Sequence, residues 1–421
     1  MSYSEQFQRI DGLLMASRAL WQVKAFECID LPWRAAFPEL AKQVWAIEDD
    51  LLDDIDADPQ QLMVHLLPAL QRDLTATRQC WSLDMLTAIK PQQHDVDELL
   101  VPGLSAAEQP HFSAHIKGCK WQQIVSFCNG LKHSNTEVLE WCAGKGHLGR
   151  LIAKAQHRAV TSIEWQQTLC DKGAAFAKQW QLPQRFVCAD AFSPQSGALL
   201  KVDQQAVALH ACGDLHVALL QHAANVGTKS VVISPCCYHL IRAKTYQPLS
   251  QQAKASQLTL SKHDLQLPLQ HSTIANDKAR SLRLQEVAWR LGFDALQRDV
   301  TQSGCYLPIP AIKQSQLSGS FEQFCQWAAA QKQLVLPPTW SASHYQTIGL
   351  TRQRLTRRID LVAHLFRAHL ERWLILDRCC FMQESGYQVS LSEFCAPHIS
   401  PRNTLISATC LNSERNVRLS K

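Results

Sequence analysis

The sequence lacks long apolar runs. No stretch of about 18 consecutive apolar residues, the length that a membrane-spanning helix needs, occurs among the 421 residues. The opening residues 1–9 are too polar to form the apolar segment of a secretory signal. From these two absences we expect a cytoplasmic protein without a membrane partner.

A strong net charge is also missing. The formal charge is +5 and the pI is near 8.4, which alone does not indicate a polyanionic partner. Cysteine, in contrast, is plentiful with 16 residues. Because no secretory segment is apparent, we expect reduced thiols, many of them packed as small apolar side chains, rather than disulfides.

The most informative segment is a short apolar strand that runs into a glycine-rich turn at residues 138–149. Gly144, Gly146 and Gly149 follow the spacing G-x-G-x-x-G, which allows a tight turn and a close approach of the backbone to a ligand. Glu164 lies twenty positions after Gly144, at the end of a second apolar run. A carboxylate at that place can accept both hydroxyl protons of a ribose, so the pattern predicts a nucleotide site.

Apolar runs recur along the middle of the chain, with spacers that can each hold one helix. This alternation predicts a parallel sheet covered by helices on both faces, with ligands bound at the carboxyl ends of the strands. The runs begin near Val138, Val160, Arg185, Ala206 and Ser230.

Two later runs, at residues 387–394 and 404–409, look like strands that return as the last, partly antiparallel pair of the same sheet. The segments before the first strand and between the fifth and sixth read as helical. We predict four regions: an N-terminal helical domain at 1–108, a core with strands 1–5 at 109–250, a helical insertion or cap at 251–385, and the final strands at 386–421.

The first three strand ends predict a cofactor that carries ribose and adenine. Glu164 would bind the ribose, and Asp190 would accept a proton from the exocyclic amine of adenine, with Ala191 beside the base. The other candidates lie at the end of the first strand: Glu140, Cys142, Ala143, Gly144 and Gly146.

The fourth and fifth strands end in reactive side chains, at the place where a substrate would meet the cofactor. The fourth strand offers His210, Cys212 and Asp214, and the fifth offers Cys236, Cys237, Tyr238 and His239. Pro235 favours a rigid exit from the fifth strand.

Three segments, 140–149, 208–215 and 234–239, resemble signature segments of a group of S-adenosylmethionine-dependent methyltransferase domains. The group includes methyltransferase-like proteins of the ribosomal-RNA-adenine-dimethylase-domain-containing type and the glutathione S-transferase C-terminal-domain-containing protein. More distantly, it includes the tRNA 2′-O-methyltransferases that modify the acceptor stem. Segments 374–378 and 399–403 are similar to the first type as well.

This resemblance implies S-adenosylmethionine as the cofactor and an α/β fold: a Rossmann-like class I methyltransferase with a seven-stranded, mostly parallel sheet. The predicted cofactor positions are matched by Glu140, Gly144, Gly146, Glu164 and Asp190, and His210 belongs to the same site. The chain also departs from the group. Cys142 stands where many of these domains have a first glycine, and the N-terminal zinc-finger cysteines of the tRNA enzymes are missing.

For the reaction, methyl transfer is an in-line displacement at a sulfonium, in which positioning matters most. An acceptor hydroxyl or amine must lose a proton, which His239 or His210 can accept, with Asp214 assisting. Cys237 and Tyr238 would lie near the substrate. A metal site is the alternative use of this cluster, since thiolates and imidazoles bind zinc: its ligands would come from His210, Cys212, Cys236, Cys237 and His239. Adjacent cysteines in an extended chain point in different directions and cannot both easily bind one ion. We therefore expect Cys212 and Cys236 to pack as small residues, with no metal bound.

RNA is the expected substrate, with a protein or a small molecule as alternatives. Two other classes stay open: a cofactor-binding RNA-binding module without catalytic activity, and an NAD-dependent oxidoreductase, which the same glycines would also serve. An arginine-rich helical segment predicts phosphate contacts, or else ion pairs with the acidic residues 48–58. Its arginines include Arg352, Arg354, Arg357 and Arg358.

Overall fold

The alternation of apolar runs and helical spacers folds into a mixed sheet covered by helices. The computed structural model describes residues 1–77, 81–82, 84–87, 103–132, 134–270, 277–313 and 317–411. The strands are β1 Glu137–Trp141, β2 Val160–Glu164, β3 Gln184–Cys188, β4 Gln204–Leu209, β5 Ser230–Ser234, β6 Tyr387–Glu393 and β7 Thr404–Cys410.

Seventeen α-helices occur in the part of the chain that the structure describes. They are α1 Tyr3–Ala16, α2 Arg18–Trp21, α3 Pro38–Ala46, α4 Leu52–Ala57, α5 Pro59–Thr77, α6 Asp84–Thr87, α7 Gln109–Phe112, α8 Gly118–Asn129, α9 His147–Gln156, α10 Gln167–Gln179, α11 Pro194–Gly197, α12 Asp214–Val226, α13 Gln251–Ala255, α14 Asp277–Thr301, α15 Phe321–Lys332, α16 Ala342–Ala363 and α17 Arg367–Glu384. Short 3-10 helices lie at Ala25–Glu27, Asp264–Leu269 and His364–Phe366.

Among the described residues the sheet has seven strands in the order β3-β2-β1-β4-β5-β7-β6. Strands β1 to β5 are parallel, and β7 is antiparallel to both β5 and β6. The order reverses between β1 and β4, which places the ends of these two strands at the switch point where such sheets bind ligands. This is the Rossmann-like class I methyltransferase topology, as the family resemblance implied.

Successive side chains of the central strands enter two cores on opposite faces of the sheet. Leu139 and Trp141 of β1 belong to one apolar cluster, together with residues of α12 and α17. Val138 belongs to the other, together with residues of α8 and α9. Because both faces are covered, these strands are apolar on both sides, and their polar groups are concentrated at the strand ends.

The described chain divides into two compact units. The first, here called the sheet unit, comprises residues 1–8, 90–266 and 372–421 and contains the whole sheet. The second, the helical unit, comprises residues 9–89 and 267–371. The predicted N-terminal domain and the predicted insertion therefore contribute to one helical unit instead of forming two separate regions. Residues 88–102 and 412–421, which two of the predicted regions include, lie outside the described residues.

The helical unit is held by its own apolar core and by buried charge pairs. Trp289, Phe321 and Phe324 pack against one another in this core, with ring centroids 5.4–6.4 Å apart. The two parts of its sequence meet through ion pairs such as His364 Nδ1 with Asp56 Oδ1 at 2.6 Å. Those contacts are the physical reason why segments far apart in sequence form one unit.

None of the described helices combines the length and the apolar character that crossing a membrane requires.

Candidate active site

The turn after β1 leaves one glycine facing open space. Gly144 has φ +59°, and a methyl group added to it would meet no atom of the described chain within 4 Å. Gly146 has φ +66°, but a methyl group there would lie 2.4 Å from side-chain atoms of Gln184 and Phe186. Gly144 is therefore positioned to approach a ligand, whereas Gly146 is required for packing of the turn against β3.

The backbone at Cys142, two residues before Gly144, is strained. Cys142 has φ +56°, a left-handed conformation that costs a non-glycine residue about 1 kcal/mol or more. Ala143, the next residue, fixes the turn through its backbone: its amide donates to the carbonyl of Ile163 at 2.8 Å, and its carbonyl accepts from Gly146. Burial and the nearby Glu164 raise the pKa of the Cys142 thiol to about 12, so this thiol stays protonated.

Glu140, a predicted cofactor residue, instead supports helix α9 from within. Its side chain is buried, and its carboxylate accepts a hydrogen bond from the Ser162 hydroxyl at 2.7 Å and from the backbone amides of Gly149 and Leu148. Burial raises the pKa of this carboxyl to about 7. The sequence prediction placed Glu140 at the ligand because its position in the motif does not reveal which way the carboxylate points.

Glu164 lies at the end of β2 with its carboxylate fixed by two backbone amides. Oε2 accepts from the amide of Gly144 and Oε1 from the amide of Gln166, each at 3.0 Å. Each carboxylate oxygen has a second lone pair available for a hydroxyl of a bound ribose. The carboxylate is thus held beside the glycine turn, as the spacing of twenty residues predicted.

Asp190 follows β3, is exposed, and accepts a hydrogen bond from the amide of Phe192 at 3.0 Å through one carboxylate oxygen. Ala191 between them is buried in the core of the sheet. The Arg242 guanidinium lies over the Phe192 ring, 4.7 Å from its centroid. Asp190 and Phe192 are therefore oriented by local contacts.

One aromatic residue was missed by the sequence analysis. Trp165 directly follows Glu164, and 69% of its surface is exposed. A large indole left in solvent next to a ligand-binding carboxylate offers a flat apolar surface for an adenine ring. Its position directly after the acidic residue of β2 is the sequence signal that would have identified it.

His210 directly follows β4 in a left-handed conformation with φ +68°, and its side chain remains accessible. Partial burial first, and the positive charge of Lys120 second, lower the pKa of its imidazole below the ordinary value of 6.5. A lowered pKa keeps the ring neutral at pH 7, the state in which it can accept a proton.

Asp214 lies at the first turn of α12 and has a bracing role. Its Oδ2 accepts a hydrogen bond from the amide of Arg242 at 2.7 Å, and its own amide donates to the carbonyl of Leu240 at 3.1 Å. Asp214 therefore ties the loop after β5 to α12. The predicted assistance in proton transfer is not what these contacts indicate, because the carboxylate faces that backbone.

Tyr238 was predicted to face the substrate, and the structure contradicts this. Only 1% of Tyr238 is exposed, and its ring lies under the Arg378 guanidinium, 5.3 Å from the ring centroid. Arg378 also donates to Nε2 of His216 at 2.8 Å and to the Tyr246 hydroxyl at 3.2 Å. These groups form a buried network beneath the strand ends. The sequence pattern after β5 does not show whether a side chain faces this network or the substrate.

Three cysteine thiols converge at the ends of β4 and β5. The Sγ atoms of Cys212, Cys236 and Cys237 all lie within 4.8 Å of one another, and those of Cys212 and Cys236 are 3.6 Å apart. The prediction that adjacent cysteines diverge was wrong because the chain is not extended here: Cys237 has φ +49°. Hydrogen bonds from the Cys212 and Cys236 thiols, followed by His239 and Arg402, lower the pKa of Cys237.

His239, a predicted proton acceptor, is half-buried beside these thiols. Its Nδ1 is buried and has no hydrogen-bond partner among the described residues. Its charge is one of the causes that lower the pKa of Cys237, so the ring lies near the thiol cluster.

Acid is expected to destabilise the protein through His216. The ring is buried, its Nδ1 donates to the carbonyl of Ala211, and its Nε2 accepts from Arg378, so burial lowers its pKa to about 3. The folded chain thus lacks a proton that the unfolded chain binds below pH 6.5. Stability is full above that pH and is lost as the pH falls toward 3, by about 2 kcal/mol between pH 6.5 and pH 5.

Urea unfolding at pH 7, 6 and 5 measures this dependence. The variant His216→Gln, which has no titrating ring, should show a correspondingly smaller drop in unfolding free energy over the same range. An unchanged pH dependence in the variant would show that His216 is not responsible.

The four predicted phosphate-binding arginines are paired within the helical unit. Arg352 and Arg358 are buried, whereas Arg354 remains exposed. The pairs are Arg352 with Asp294 (2.5 Å), Arg354 with Asp49, Arg357 with Asp53 (2.9 Å) and Arg358 with Asp49 (2.7 Å). Three of the four pairs join the acidic residues 48–58, as the alternative interpretation of this helix required.

The residues at these strand ends fit an adenosine-containing cofactor. Gly144 faces open space, Glu164 is anchored beside it, and Trp165 exposes a flat ring. Asp190 is accessible at the next strand end. Together these groups can bind the ribose and the adenine of a cofactor that has no pyrophosphate.

Known families and solved structures resemble part of this chain. Residues 119–244 match the family model described as a methyltransferase domain. Solved structures similar to part of the chain include magnesium protoporphyrin IX methyltransferase from Synechocystis PCC 6803 with bound SAH, at 12% identity and a TM-score of 0.25. The match covers 30% of this chain and 64% of that protein, less than two thirds of its length.

Two further structures match at similar levels. Precorrin-6y C5,15-methyltransferase from Geobacter metallireducens GS-15 is 11% identical with a TM-score of 0.25, covering 32% of this chain and 71% of that one. An rRNA methylase from Streptococcus thermophilus is 10% identical with a TM-score of 0.23, covering 29% and 73%. The matched family model and the strand order together show that the chain carries an S-adenosylmethionine-dependent methyltransferase domain with the Rossmann-like class I fold.

Proposed function

We propose that this protein transfers a methyl group from S-adenosylmethionine to RNA. The observation that carries the RNA assignment is a set of cations bordering the strand ends. Lys120 lies near enough to His147 and His210 to lower the pKa of both rings. The other cations are Lys145 in the glycine turn, Arg242 over Phe192 and Arg402 near Cys237. A polyanion is attracted to such a border.

The cofactor would be held by the side chains at the ends of β2 and β3. Glu164 would accept the ribose hydroxyls, and Asp190 with Trp165 would bind the adenine. When bound, S-adenosylmethionine supplies an activated methyl group on a sulfonium. The contribution of the chain is to position the acceptor in line and to exclude water.

His210 is the proposed proton acceptor. Its lowered pKa leaves the ring neutral at pH 7, and it lies at the end of β4, at the switch point of the sheet. An acceptor hydroxyl or amine that loses its proton during transfer can pass it to this ring. We prefer His210 to His239 because the His210 side chain is the more accessible of the two.

The arginine-rich helix α16 does not carry this proposal, because its four arginines already pair with carboxylates of the helical unit. The more specific resemblances, to the ribosomal-RNA-adenine-dimethylase-domain-containing type and to the tRNA 2′-O-methyltransferases, favour RNA on sequence grounds only.

A labelling experiment tests the proposal. The full-length protein is incubated with methyl-labelled S-adenosylmethionine and fractionated cell extract, and the products are treated separately with ribonuclease and protease. We expect label that is lost on ribonuclease treatment only. Label in a protein or in small molecules would overturn the RNA assignment, whereas cofactor binding without any transfer would indicate a non-catalytic module.

The variant Lys120→Glu serves as a second arm. Reversing this charge should weaken RNA methylation and flatten its dependence on salt concentration, because fewer counterions are released on binding. The matched variant Lys178→Glu changes a basic residue on α10 that no described contact links to the strand ends, and it should leave both quantities unchanged. Equal effects of the two variants would contradict a role for the bordering cations.

A further inference from the structure

The converging thiols at the ends of β4 and β5 point to a metal site. We propose that Cys212, Cys236 and Cys237 bind one zinc ion through three thiolates. The proposal rests on the Sγ atoms, which all lie within 4.8 Å of one another. It does not depend on the nature of the methyl acceptor.

The spacing of the sulfur atoms suits tetrahedral zinc. With Zn–S bonds of about 2.3 Å, two sulfur ligands of a tetrahedral ion lie about 3.8 Å apart. The Sγ atoms of Cys212 and Cys236 are 3.6 Å apart in the structure. Closing the cluster around an ion therefore needs only small side-chain rotations.

The backbone around the cluster brings the thiols together before any metal binds. Gly213, directly after Cys212, donates its amide to the carbonyl of Cys236 at 3.1 Å, which joins the two strand ends. Gly213 cannot be replaced here by a larger residue, since an added methyl group would lie 2.1 Å from the Leu240 carbonyl oxygen. The left-handed conformation of Cys237 turns the third thiol toward the other two.

The residues around the three thiols can supply a fourth zinc ligand and a positive charge. Zinc bound by three thiolates keeps one position for an imidazole nitrogen or a water molecule. His239 lies near Cys237, and its ring nitrogen Nδ1 is buried without a hydrogen-bond partner among the described residues. Arg402 is also near Cys237 and offsets the negative charge of three thiolates around a divalent ion.

On binding, the three thiols lose their protons to solvent, and one zinc ion takes the place of these protons without any change of oxidation state. Cys212 also lies near Cys142 in the turn after β1. The ion would therefore lie next to the cofactor turn, where it would rigidify the loops that carry His210 and His239.

Elemental analysis of the purified full-length protein tests the site. We expect about one zinc ion per chain, retained by the three thiolates. After removal of zinc with a chelator, added Co²⁺ should give the intense thiolate-to-cobalt absorption of a sulfur-rich site. Wild-type protein without bound zinc and without this absorption would overturn the proposal.

Single variants locate the site. Cys237→Ser and Cys212→Ser, at the two half-buried thiols of the cluster, should each lower zinc affinity at least tenfold. Cys119→Ser on α8, an exposed cysteine outside the cluster, is the matched control and should keep full occupancy. Equal zinc content in all three variants would also refute the site.

Folding is checked independently of metal. Far-ultraviolet circular dichroism of each variant, together with titration of S-adenosylhomocysteine, shows whether the sheet unit is intact. If Cys237→Ser fails to fold, thiol labelling of the wild-type protein decides instead. The zinc-bound protein should have three fewer thiols that react with the label than the chelated protein. Equal labelling of the two forms would contradict the proposal.

Discussion

Replacement of Glu164 with alanine is expected to reduce the affinity for S-adenosylmethionine by about 100-fold or more, because a hydrogen bond to a charged acceptor contributes about 1.5–3 kcal/mol and a ribose makes two of them. The variant also removes the acceptor of the Gly144 amide, which fixes the glycine turn. The two losses act on the same ligand, so the effect on binding should exceed the effect on folding.

Isothermal titration with S-adenosylmethionine and S-adenosylhomocysteine measures this loss. Glu137→Ala is the matched control, because Glu137 begins β1 at the opposite end of the sheet and pairs with Lys201. It should bind the cofactor normally. Glu164→Gln keeps the shape of the side chain without its charge and should show an intermediate affinity. If Glu164→Ala bound the cofactor with wild-type affinity, this result would contradict the proposed contact between Glu164 and the ribose.

Replacement of Asp377 with alanine is expected to lower the free energy of unfolding by about 3–5 kcal/mol, the effect of breaking a buried charged network. Asp377 is fully buried in α17 and accepts from the Tyr246 hydroxyl at 2.5 Å and from the amides of Leu249 and Ser250 at 3.0 and 2.8 Å. All three donors would lose their acceptor. Arg378 would also lose a neighbouring negative charge.

Urea unfolding of the full chain measures the change. Asp203→Ala removes an exposed carboxylate of the same unit that pairs with Lys229, and it should change stability by less than about 1 kcal/mol. Similar losses in the two variants would show that the network behind Tyr238 contributes no special stability. Because this network supports the loop after β5, Asp377→Ala should also weaken the zinc site proposed above.

The sheet could be predicted from the sequence because it depends on patterns that are local. Strand starts were predicted within two residues of those observed, and the late antiparallel pair was predicted as well. The anchored carboxylate of Glu164 follows from a spacing that the βαβ unit itself imposes. In these cases one segment determines its own conformation.

The direction of individual side chains could not be predicted in the same way. The side chains of Glu140 and Tyr238 point into the protein interior because they contact Ser162 and Arg378 there. These partners are distant in sequence, so the local pattern does not reveal them. Cys237 adopts a left-handed backbone that its residue type disfavours. Three of the four arginines of α16 likewise pair with residues about 300 positions earlier in the sequence.

The position of β7 between β5 and β6 has a consequence for biosynthesis. Strand β5 ends at Ser234, and β7 begins at Thr404, so the ribosome must add 170 residues before the neighbour of β5 exists. At about 5–20 residues per second, this interval lasts about 10–30 seconds. During that time the nascent chain carries an unpaired apolar strand edge, which makes it a candidate client for chaperones that shield such edges.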